Sequence, residues 1–414
     1  MSQQITNDPF AAIRVQEYRY LLMGRFTFIM ALRMMGTLVI WWIFQLTKRP
    51  ESIGLIGLAE VIPALSMALY SGHVVDISEK RRLLLRCVFF YICAAGTLLF
   101  LSTDFVNIRL HKDYIIYGIY AVIFCTGIIR SFSGPLFASM IATVVPRNIL
   151  SNATTWSQGT YLSASVTGHA TGGFLIYLLG NQGTLTIVCA LVFISLLILM
   201  QLKPKPANAN KSEKKTLESV KEGLRFVFKT KVLLAAMSLD MFGVLFGGVT
   251  AIIAVYASDI LHVGSKGFGW LNAASDIGSI IVVAMLTISP LRNKQGKKLL
   301  IAVAGFGICI IAFALSEWFV LSFFALLIGG MLDGVSVVIR GTVMQLTTPD
   351  HMRGRVSSVS QMFVNSSNEL GQAESGFAAK YMGVVPSVVF GGCMTLAVMI
   401  VTWFKAPSLR KFEY

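Results

Sequence analysis

Twelve apolar stretches, each long enough to cross a bilayer, run along this chain near 18–46, 52–73, 83–103, 114–144, 153–179, 184–202, 232–257, 267–290, 298–316, 318–347, 356–380 and 384–404. A hydrocarbon core about 30 Å thick takes about twenty residues of helix. Backbone polar groups in lipid must be paired within a helix or a closed barrel, and the alternating ten-residue pattern of barrel strands is absent, so the stretches are read as helices. With 13% of its 414 residues charged and a mean hydropathy of +0.71, the chain is excluded from the soluble enzymes.

The formal charge of +15 would fit a nucleic-acid partner only if the cations clustered on a folded polar surface. They sit instead in short loops between apolar runs, so no nucleic acid is expected and the bilayer is the partner. Placing both termini in the cytoplasm puts roughly twenty-five Lys and Arg residues on that side, against Lys48, Arg49, Arg109, Lys112, Lys266 and Lys380 outside. The first apolar run, Tyr20–Leu46, is too long for the core of a cleavable signal and is expected to remain as the first span. The cysteines at 87, 93, 125, 189, 309 and 393 fall singly and read as small core residues, with no metal-type spacing.

One long polar segment, 203–231, divides six spans from six. It opens on Pro and Asn and ends on the amphipathic SVKEGLRFVF, reading as a linker with a surface helix whose simplest role is that of a solvated connector. The expected organisation is a six-helix bundle over 1–202, the linker over 203–231 and a second bundle over 232–414. An internal repeat supports it. A shift of 203 residues lays VVPRNILSNATTWSQGTYLSASVTGHATGGF on TTPDHMRGRVSSVSQMFVNSSNELGQAESGF, matching Pro146 with Pro349, Gln158 with Gln361, Gly168 with Gly371 and Gly180 with Gly383.

These features carry a resemblance. The segment Gly72, Asp76, Lys80, Arg81, Arg82 resembles the loop motif of the major facilitator superfamily, with Ile77 and Glu79 departing where Arg and Gly are common. The stretches LDMFGVLFGGVTAIIAVYASDILHVG (239–264) and 333–376, with EYRYLLMGRF in span one and the VPRNILSNA loop, resemble the branch holding the bacterial enterobactin exporters and related drug-efflux proteins. The resemblance implies an all-α membrane protein of twelve helices in two pseudo-symmetric bundles. It also implies a proton-driven exporter of a small organic solute in the bacterial cytoplasmic (inner) membrane, expected to act as a monomer. Siderophore is the best-known cargo of that branch, with macrolide or multidrug efflux in neighbouring members; a lysophospholipid transporter is a further alternative. No cofactor beyond the proton gradient is expected.

An ionisable side chain at the bilayer centre costs about 2.5–3.5 kcal/mol on the mildest scale, so each one should face a cavity or a partner. Span one carries Arg25 and Arg33, span two Glu60, span four Arg130 and span five His169; spans seven, eight, ten and eleven carry Asp240, Asp276, Asp333 with Arg340, and Glu369 with Glu374. Arg33, Glu60, Arg130, Asp240, Asp276, Asp333, Arg340, Glu369 and Glu374 are the candidates for substrate binding or coupling. The repeat makes Arg130 and Asp333 equivalent with opposite charge, and the reading sets them toward each other or the substrate. Asp333 and Arg340 share a helix face but lie about 10 Å apart along it, so each needs its own partner. Arg25 is expected to snorkel toward an interface, His169 to be a packing residue, and Lys380 and Asp259 to be interfacial. Gly72, Asp76, Lys80, Arg81 and Arg82 form the candidate cytoplasmic gate, with Asp76 set against the N-terminal end of span eleven near Gly354–Val356. A pump's phosphate loop is absent, and the histidines at 73, 111, 169, 262 and 351 form no catalytic or metal constellation, so no enzyme is expected.

Overall fold

The computed structural model describes residues 8–204, 216–288, 293–349 and 352–413. It is helical throughout, with no strand among the described residues. In chain order the helices are α1 (Gln16–Thr47), α2 (Pro50–Ile77), α3 (Lys80–Leu101), α4 (Asp104–Arg109), α5 (Lys112–Val144), α6 (Leu150–Leu199), α7 (Thr216–Lys229) and α8 (Lys231–Gly247). They continue with α9 (Thr250–Val255), α10 (Gly264–Ile288), α11 (Gln295–Ala314), α12 (Phe319–Thr347), α13 (Arg353–Met382), α14 (Val384–Lys405) and α15 (Pro407–Arg410). Among the described residues, ten segments are long and apolar enough to cross a membrane.

Several of the spans differ from a simple apolar rod. The segment 147–199 breaks at Gly180 (φ 65°, ψ −169°), so α6 is two spans meeting at a glycine. α13 is 30 residues long and too polar for the ten, yet it occupies the place of span eleven. Span seven, expected to be continuous over 232–257, is also interrupted: α8 ends at Gly247 and α9 begins at Thr250. The carbonyl of Gly248 freed at this break accepts from Ser375 Oγ at 2.6 Å, which replaces a helical hydrogen bond that lipid could not supply. Residues 205–215 of the linker and 289–292 at the end of span eight lie outside the described residues.

The chain packs as two compact units, one of Met1–Val39 with Ile62–Ser212 and one of Ile40–Val61 with Glu213–Tyr414. In the first, Phe28 meets Tyr91 edge-on at 5.1 Å and Phe137 at 5.6 Å between ring centroids. In the second, α10 and α12 run backbone to backbone: a Cβ on Gly278 would strike the Leu327 carbonyl, and one on Gly330 the Ser275 main chain. Small residues permit this approach, and Ser279 Oγ donates to the Gly330 carbonyl across it at 3.1 Å. Leu239, Leu299, Leu300, Ile339 and Val343 close the core between α8, α11 and α12.

Candidate functional site

In the second unit, α8, α11 and α12 meet around a small cleft, with about 10 Å³ of free volume, lined by Asp240, Gly243, Val303, Phe306, Asp333 and Ser336. Asp240 is only 7% exposed and is ion-paired through its Oδ2 to Arg340 Nη1, whose side chain is 14% exposed. Arg340 Nε also donates to the Ser336 carbonyl one turn back, at 3.3 Å. Positions 333, 336 and 340 recur at helical spacing, so one stripe of α12 presents a carboxylate, a hydroxyl and a guanidinium to its neighbours. Asp333 has no hydrogen-bond or ion-pair partner among the described residues, although it lines the same cleft as Asp240. The structure therefore brings together Asp240, Asp333 and Arg340.

α13 supplies a second feature of this unit. Ser357, Ser358, Gln361, Asn365 and Asn368 are all exposed and fall within about 100° of arc. A polar exposed face on a membrane-spanning helix belongs beside water, because acyl chains leave amides and hydroxyls unpaired. Glu369, half-buried, continues this face, while Glu374 is turned about 140° from it and receives a contact from its neighbour Ser375 Oγ at 3.4 Å. Toward the C-terminal end of α13 the face is covered by α2: a Cβ on Gly376 would stand 2.7 Å from Gly54 Cα, and one on Gly57 2.9 Å from Gln372 Oε1. Lys380 Nζ closes that end on Glu51 Oε1 at 3.4 Å, so Lys380, expected only as an interfacial residue, has a carboxylate partner.

In the first unit α1 is zipped to the first limb of α6. Tyr18 OH donates to the Ala153 carbonyl, Arg25 to Ser157 Oγ and Arg33 to the Tyr161 hydroxyl. Arg25 does not snorkel: its guanidinium is turned inward, 5.7 Å from the Phe137 ring centroid, because Ser157 and the ring offer partners within the bundle. Arg33 lies 5.5 Å from the Tyr161 ring centroid. Thr37 Oγ1 donates to the Arg33 carbonyl at 2.9 Å and meets His169 Nδ1 at 2.8 Å. A hydroxyl has one proton to give, so His169 donates to Thr37 from Nδ1. Gly168 leaves room for the Arg33 Cβ, which an added Cβ would approach to 2.6 Å.

Glu60, Arg130 and Asp276 are half-buried on α2, α5 and α10. Gly72 and Asp76 lie in the last turns of α2, and the Asp76 side chain is outside the described residues. The departure at Glu79 has a structural reason: its carboxylate caps α3, accepting from the Arg81 and Arg82 amides at 3.1 and 2.9 Å. Arg81 Nη2 in turn donates to the Met200 carbonyl at the C-terminal end of α6, at 2.7 Å, where a cation complements the helix dipole. Lys80 is buried, at 9% exposure.

Sequence reasoning passed over Ser157, Tyr161 and Thr37 as partners and Ser375 as a cap. The signal for the first two was present, since Ala153, Ser157, Tyr161, Gly168 and Gly172 recur on one face of α6 with small residues where another helix approaches. Among the described residues no group of three or more His, Cys, Asp or Glu side chains is arranged to hold a metal.

Comparison with known proteins places this geometry. A family model described as Major Facilitator Superfamily matches residues 21–372. The chain is 24% identical over 389 residues to the multidrug efflux pump Tap of Mycolicibacterium fortuitum, covering 90% of this chain and 91% of that one. It is 24% identical over 406 residues to the enterobactin exporter EntS of Shigella boydii, covering 96% and 93%. Among solved structures, a D-xylose-proton symporter superposes with a TM-score of 0.76 over 98% of this chain and all of its own length, at 12% identity.

Proposed function

Because this chain belongs to the Major Facilitator Superfamily, a multi-pass membrane transporter rather than an enzyme, we propose that it is a proton-coupled exporter of a small amphipathic organic solute. It works by alternating access in the bacterial inner membrane, with both termini in the cytoplasm. One observation carries the coupling: Asp333, beside the buried Asp240–Arg340 pair, has no ionic partner among the described residues. A carboxylate at membrane depth is stable there when it carries a proton or when a cation comes to it. In this reading a proton taken up by Asp333 neutralises the cleft, and its release leaves the cleft with one net negative charge. That charge imbalance biases the packing of α12 against α8 and so ties the proton to the conformational cycle.

The cargo is bound against polar and aromatic groups. Arg33 with Tyr161 offers a cation beside a ring, suited to an anionic aromatic solute such as a siderophore of catechol type. The polar face of α13 supplies amides and hydroxyls along the path. The test is proton flux in proteoliposomes, stimulated by an added catechol siderophore, for wild type, Asp333→Asn and Glu369→Gln. Loss of coupled flux in Asp333→Asn supports the assignment; unchanged flux in both variants removes it.

Broader drug efflux is the second reading, favoured by the similarity to Tap over 90% of this chain. Competition by unrelated cationic dyes for siderophore-stimulated flux would favour it, and indifference to them would favour the narrower cargo.

A further inference from the structure

The linker helix α7, read from the sequence as a surface helix within a solvated connector, is docked on its neighbours. Gly223 is buried, and a Cβ there would stand 3.0 Å from the Arg355 carbonyl at the start of α13. Val227 is fully buried in a cluster with Leu233, Met237, Val356 and Val359. Glu222 and Arg355 pair across the same contact. One face of α7 is therefore committed to α8 and α13.

The opposite face is chemically different. Lys221, Arg225, Phe228 and Lys229 are all exposed and fall within about 100° of arc, centred nearly opposite Gly223 and Val227. None of the three cations has an ion-pair partner among the described residues. Phe228 is 60% exposed, two residues before Thr230, which caps α8, and three before Lys231, where that span begins. The C-terminal end of α7 is thus held at the level where the chain enters the membrane. A ring standing in water beside three cations is unfavourable; at a headgroup boundary the ring is buried and the cations are matched.

We propose that this face of α7 is a binding site for anionic phospholipid headgroups, with Phe228 anchored among the acyl carbons and Lys221, Arg225 and Lys229 on the phosphates. Since its other face grips α13, lipid bound here steadies the end of the helix that carries the polar path. The inference rests on the membrane-transporter reading but not on the identity of the cargo or on proton coupling, and its test uses neither.

The full-length protein is placed in nanodiscs of phosphatidylcholine, or of phosphatidylcholine with phosphatidylglycerol, and amide hydrogen exchange is followed over 221–229. Each cation near an anionic surface contributes roughly a fivefold preference. Exchange in α7 is therefore expected to slow by at least about tenfold in the anionic discs, with the effect lost at high salt and in K221Q/R225Q/K229Q. Unchanged exchange in α10 and α12 shows that the variant is folded; if it is not, the salt dependence of the wild type decides alone. Equal exchange in both lipids, protection that survives high salt, or protection reproduced by inorganic phosphate in neutral discs would each overturn the proposal.

Discussion

Arg340 of α12 and Asp240 of α8 form an ion pair within the second unit, with the carboxylate 7% exposed and the guanidinium side chain 14%. Removing one partner of such a pair leaves an uncompensated charge, which typically costs about 3–5 kcal/mol. Asp240→Asn and Arg340→Gln should each lower the thermal midpoint strongly in detergent. The double variant should lose much less than the sum, giving a coupling energy from the cycle. Strict additivity would show that the two side chains do not act as a pair.

Asp333→Asn should behave in the opposite way. It removes a carboxylate that has no partner among the described residues, in an isosteric change, so the thermal midpoint should stay near wild type or rise while coupled proton flux is lost. A variant that melts early would mean that Asp333 is held by a structural contact.

Arg33→Gln should retain the fold through the remaining α1–α6 hydrogen bonds of Tyr18, Arg25 and Thr37. Transport of an anionic aromatic solute should fall more than that of a neutral analogue of similar size, read as a change in the ratio of their initial rates. An equal loss for both would assign Arg33 to packing alone.

Gly376→Leu should destabilise, by about 1–3 kcal/mol from overpacking, because its Cβ would stand 2.7 Å from Gly54 Cα. Gly134→Ala, where the added carbon meets nothing within 4 Å, serves as the control and should be silent or stabilising in the same melting assay. By contrast, Glu51→Gln should change the midpoint little, because its partner Lys380 is 46% exposed and can turn to water, and pairs with a solvated member contribute about 0–1 kcal/mol.

Gly180 and Gly383 should both reject alanine. The repeat sets them at equivalent positions, and both adopt positive φ, 65° and 88°, where an L side chain is strained. Alanine should cost about 1–2 kcal/mol at each, again read from thermal unfolding.

The same two glycines show how far the fold was legible. Their match under the 203-residue shift was visible in the sequence, and they end the paired limbs at the same backbone conformation. The apolar runs fixed the spans because lipid demands a continuous helical hydrogen-bond ladder over a set length. The break in α8 at Gly247–Val249 was harder to see, since its glycines read equally well as packing residues. It holds only because Ser375 on another helix satisfies the freed Gly248 carbonyl.

What the chain determined by itself was the number of spans, their likeness between halves and the inventory of charges that membrane burial makes costly. These follow from local composition and period, which need no partner. Tertiary structure alone decided the pairings: that Arg340 goes to Asp240 rather than Asp333, that Arg25 turns inward to Ser157, and that α7 docks on α13. Such choices depend on which helix faces stand within a few ångströms of each other, and a charge's position along its own helix does not specify that.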